Sequence, residues 1–156
     1  MLFAAAEEQG IGCVIHLGEL LHLGFEGTDY DSFTDSITYM GERIPLKPTS
    51  EELEHIAGAL KRVLPGLAKY RSLRDISTHF WPDAVITRRN LEDFRAATGA
   101  KILLSPSVSE NVQSLLNGGP ELLRQWQEWA CAERFKFNEW LLAEVRKYRP
   151  DLFVTL

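Results

Sequence analysis

The side chains best suited to chemistry gather in residues 84–106. Ala84 to Ile86 form a short apolar run, and the polar turn after it holds Thr87, Asn90 and Asp93. A hydroxyl, an amide and a carboxylate this close together can orient a water, bind a ligand or carry a proton. Arg88 and Arg89 stand among them, and a guanidinium is suited to gripping phosphate. The spacing predicts a strand, a turn, an amphipathic helix stopped by Gly99, and a second strand at Ile102 to Leu104. Turns at the C-terminal ends of strands are where open α/β sheets place their sites. Each residue also has a structural use. Asn90 suits a helix N-cap, Asp93 suits the positive end of a helix dipole, and the two arginines suit a solvated helix entry.

Other titratable groups are more scattered. Asp29, Asp31 and Asp35 make an acidic loop that lacks the glycine and closing glutamate of a calcium-binding loop, so a solvated loop is expected. His16 and His22 are six residues apart and do not share a helical face as paired zinc ligands do, and His55 and His79 are isolated. Gly10-Ile11-Gly12 is too short for a dinucleotide fingerprint. The chain contains no nucleophile elbow, and neither Cys13 nor Cys131 has a histidine beside it in sequence.

The elements that must position these groups follow from periodicity. Helices are expected over 2–9, 16–25, from Thr49 or Ser50 to about Pro65, from Ser109, and over 121–147. Strands are expected at 11–15, at 84–86, at 102–104 and near Phe153, with a hairpin over 37–46. Residues 67–82 carry no clear periodicity. A chain of 156 residues with 45% hydrophobic content and a net charge of −5 suits one globular domain with a real core. The acidic balance argues against a dedicated nucleic-acid coat. No apolar run is long enough for a membrane span, no basic leader opens the sequence, and the cysteines form no metal or redox motif. The cytoplasm is the expected compartment.

Residues 4–106 resemble a PIN domain. The resemblance rests on Thr87-Arg88-Arg89-Asn90-Leu91-Glu92-Asp93-Phe94, which matches that family's Thr-Arg-Asn and Asp-Phe pattern with one inserted arginine. It rests also on Lys101 to Pro106 and on Val14-Ile15 followed by Gly18-Glu19-Leu20-Leu21. It implies a PIN-like α/β/α sandwich with a mostly parallel sheet in residues 1–106, and an added C-terminal helical segment, 107–156, packed on the same domain. It also implies a metal-dependent ribonuclease of the toxin type, with RNA as substrate. Glu19, Asp75 and Asp93 would be the catalytic acids around Mg or Mn, Asp75 coming from a helix before the strand at 84. Thr87, Arg88, Arg89 and Asn90 would bind substrate. Hard carboxylate oxygens suit such an ion, which activates a bound water and neutralises charge on a phosphate. The family's opening strand carries an aspartate, and here no aspartate precedes Asp29. The first strand is therefore expected to be missing or replaced, with Asp151 to Val154 as a substitute, and the enzyme to be an inactive descendant where the acid is lost.

A second reading is a non-enzymatic interaction protein: an antitoxin, an immunity protein or a phage-borne inhibitor. Three of the four tryptophans lie in 121–147, at positions 126, 129 and 140. Their first use is a core face. Leu123, Phe135 and Leu142 on other sides of the same helix suggest a cognate protein partner or a homodimer.

Overall fold

A computed structural model of the chain describes residues 2–17, 46–77 and 86–155. The helices are α1 (Leu2–Glu8), α2 (Ser50–Leu67), α3 (Arg88–Thr98), α4 (Val108–Asn117) and α5 (Gly119–Arg146). The strands are β1 (Cys13–His16), β2 (Leu73–Ser77) and β3 (Phe153–Thr155). They form one parallel sheet in the order β1-β2-β3. The mixed α/β class and a parallel sheet are thus observed, and Phe153 does open a last strand. The expected strand at 84–86 and the hairpin over 37–46 fall mainly outside the described residues.

Local sequence explains the helix ends. Thr49 caps α2 with its hydroxyl on the Glu52 N–H at 3.2 Å, while the Glu52 carboxylate returns to the Thr49 N–H at 2.7 Å. This reciprocal pair satisfies two otherwise orphaned donors. Pro65 does not end α2, which runs on to Leu67. Thr87 caps α3 through the Asn90 N–H at 3.1 Å, and Gly99, with φ of 72°, closes that helix in the left-handed region. Gly119 (φ 84°) breaks the chain between α4 and α5. Ile102 to Leu104 do not form the expected strand. Their backbone is engaged by α4 instead: Leu103 N–H donates to Ser114 Oγ at 2.9 Å, and Ser105 N–H to Asn111 Oδ1 at 2.8 Å.

Two apolar clusters hold these elements. The first joins Ile15, Leu17, Leu73, Ile76 and Leu152 of the sheet region to Ile56, Leu60 and Leu64 of α2 and Phe137, Leu141 and Val145 of α5. The second joins Leu91 and Phe94 of α3, Ile102, Leu115 of α4, and Trp126 and Trp129 of α5. The 28 residues of α5 span about 42 Å and serve both. The boundary expected at 106 falls inside the second cluster, so the segments on either side share a core.

The sheet has two unlike faces. Between Cys13–Leu73 and Val14–Asp75 the β1–β2 register shifts by one residue. Strict alternation would put Leu73 and Ile76 on opposite faces. The extra residue on β2 lets both turn into the first cluster, and both are fully buried. Helices α2 and α5 pack into that same cluster, so both lie on the Ile15–Ile76–Val154 side. The expected sandwich has helices on both sides. Among the described residues the opposite face stays open, with Val14 57% and Phe153 65% exposed.

Candidate functional site

Among the described residues, candidate polar side chains gather at the entry of α3, where the sequence points, and on a sheet face of which the sequence names Asp75. At the entry of α3, Thr87 is the N-cap and Asn90 is buried, its Oδ1 accepting the Leu46 N–H at 2.9 Å. Arg89 forms a two-point ion pair with Glu52 at 2.6 and 2.9 Å, and Arg88 pairs with Glu92 at 2.8 Å. Of the proposed substrate-binding residues, Arg89 and Asn90 therefore hold α3 against α2 and the chain at Leu46, while Thr87 and Arg88 act within α3. Burial alone would raise the Glu52 carboxyl, but Arg89 and the Thr49 N–H outweigh it and hold the group below its ordinary range. Asp93 is half-buried on the same helix; the Glu52 hydrogen bond first, and the charge of Asp93 after it, raise Arg89 above its ordinary range.

The second place is the open face of the sheet. Val14, Asp75 and Phe153 stand in one cross-strand row, and His16, Ser77 and Thr155 in the next, at the C-terminal ends of the three strands. Neighbouring strands lie about 4.8 Å apart, so each row is a close set of side chains on one surface. The row at the strand ends is polar throughout. Asp75 accepts a hydrogen bond from the Thr155 hydroxyl through Oδ2, while its Oδ1 is buried without a partner among the described residues. Asp75 sits on β2, not on a helix: the bulge that turns Leu73 inward also turns Asp75 onto the open face. Arg74, a cation on β2, lies toward the other end of the strands. A Cβ built on Gly12 would approach its Cγ to 3.1 Å, and Asp151, held low first by its hydrogen bond from Arg149, also feels its charge.

Of the three expected metal ligands, Glu19 lies outside the described residues. Asp75 belongs to the sheet, and Asp93 to a helix that packs into the other cluster. Among the described residues no group of three or more His, Cys, Asp or Glu side chains is arranged to hold a metal ion. Asp75, with its partnerless oxygen, is the one whose immediate surroundings suit a bound cation or donor. Sequence reading set His16 aside and missed Ser77 and Thr155 because none forms a local motif; only strand register joins them.

The tryptophans of α5 serve the core. Phe94 meets Trp126 edge-on at 5.3 Å, Trp126 and Trp129 lie 5.4 Å apart, and Trp140 stacks on Phe137 at 5.8 Å. Leu123 packs against the second cluster, which leaves Phe135 as the exposed member of the surplus residues. Among the described residues no helix is long and apolar enough to cross a membrane. Comparison with known proteins gives no identification: no family model, no curated protein and no solved structure matches the chain.

Proposed function

We propose that the three strands are an arc of a singly wound parallel barrel and that the chain carries part of a hydrolytic site at its C-terminal edge. Asp75 is the reacting carboxylate. The observation that carries this reading is the sheet itself: strand order equals chain order, and α2 and α5 cover one face while the other bears Asp75 and the His16–Ser77–Thr155 row. Parallel sheets are normally buried on both faces. A singly wound barrel meets that requirement with helices outside and strand side chains inside, and its reactive groups stand at the C-terminal ends of the strands. A carboxylate held there by Thr155 can act as a general base or stabilise positive charge.

Metal-dependent RNA cleavage is the alternative chemistry for the same carboxylate. It requires Glu19 and Asp93 to join Asp75 around Mg or Mn, and it is supported by the unpartnered Asp75 oxygen. Against it, Arg88 and Arg89 already serve glutamates.

The test compares the chain with Asp75→Asn and Asp93→Asn on fluorogenic glycoside, ester and RNA substrates, with and without Mn²⁺. A fall of at least about 100-fold in Asp75→Asn, with Asp93→Asn unchanged, is expected. Metal-dependent RNA cleavage lost in both variants would favour the nuclease chemistry. Full activity in Asp75→Asn would overturn both.

A further inference from the structure

From the open face we infer a ligand class: the strand-edge site takes a neutral, hydroxyl-rich molecule with the chemistry of a sugar, not a polyanion. This rests on the assignment of the site to Asp75. The argument starts from the unpartnered Oδ1 of Asp75. A carboxylate oxygen accepts hydrogen bonds and donates none, so what completes it brings a donor or a cation, and a neutral ligand brings the donor. Phosphate oxygens at neutral pH are acceptors and would meet it with like charge.

The neighbours point the same way. Ser77 can donate or accept, which matches a hydroxyl group, and none of His16, Ser77 and Thr155 is a permanent cation. Arg74 lies toward the far end of the strands, and Arg88 and Arg89 of α3 are paired. The net charge of −5 adds a general penalty for polyanions. Phe153 stands beside Asp75 across the β2–β3 ladder and is 65% exposed. An exposed aromatic ring next to a carboxylate offers both an apolar platform and an acceptor, the pair needed by a ring with C–H faces and a hydroxyl rim.

The experiment titrates the ¹⁵N-labelled chain with cellotetraose and, separately, with the tetranucleotide U4, following backbone amide shifts. Cellotetraose is expected to move the amides of Asp75, Ser77, Phe153 and Thr155. Phe153→Ala and Asp75→Asn should each weaken its binding at least about tenfold. U4 should leave those amides unmoved. The inference is overturned if U4 moves them and cellotetraose does not, or if neither does. The parent assignment fails separately, when Asp75→Asn keeps full hydrolytic activity whatever the titrations show. Because Phe153 is exposed, its replacement tests binding without opening the core.

Discussion

Glu52 holds the first turn of α2 and the first turn of α3 with the same carboxylate. It closes the capping box on the Thr49 N–H at 2.7 Å and accepts both arms of Arg89 at 2.6 and 2.9 Å. One side chain thus joins the start of a helix that packs under the sheet to the start of a helix in the second cluster.

That arrangement gives a pH dependence with a definite sign. The Glu52 carboxyl is held below 4.5 in the folded chain, against the raising effect of its own burial, by Arg89 and Thr49. Its contribution is therefore complete above the unfolded value and is lost as pH falls through the folded one. Because the pair is partly exposed, the contribution is about 1 kcal/mol or less. Urea denaturation between pH 7 and pH 3 should show this loss in the parent, and a smaller loss in Glu52→Gln. An unchanged acid-side slope in Glu52→Gln would contradict the role given to the pair.

Asn111 marks where sequence reading failed and why. The run Ile102-Leu103-Leu104 has strand-like composition, yet its partner is a helix. Asn111 is fully buried, accepts the Ser105 N–H at 2.8 Å and donates to the Ser105 carbonyl at 3.0 Å. A side-chain amide that mimics a strand edge leaves no periodic trace. By contrast, Gly99 and Thr49 act within one or two turns of the chain, and their roles were legible. The polar row at the strand ends was not, since His16, Ser77 and Thr155 meet only through register between distant segments. Asn111→Ala should leave two buried backbone groups unsatisfied and cost about 2–4 kcal/mol, read as a shift in the urea midpoint. A loss under 0.5 kcal/mol would show that the clamp is dispensable.

Because α5 runs through both clusters, the described parts should unfold together. Leu141→Ala in the first cluster and Phe94→Ala in the second each remove a fully buried side chain. Each should cost about 2–5 kcal/mol. Both variants should lower one common transition, monitored by tryptophan fluorescence and far-ultraviolet circular dichroism. Separate transitions for the two signals in either variant would mean that the clusters are independent.

Gly99 tests backbone conformation without packing. Its φ is 72°, and a Cβ built there meets nothing within 4 Å. Any cost of Gly99→Ala must then come from holding an L-residue in the left-handed region, about 1–2 kcal/mol. Gly99→Asn should recover part of that loss, because a short polar side chain tolerates this conformation better than alanine does. Thermal denaturation should therefore rank the parent above Gly99→Asn, and Gly99→Ala lowest. Equal melting temperatures for the two variants would place the cost elsewhere, in contacts of the Arg95 to Ile102 segment.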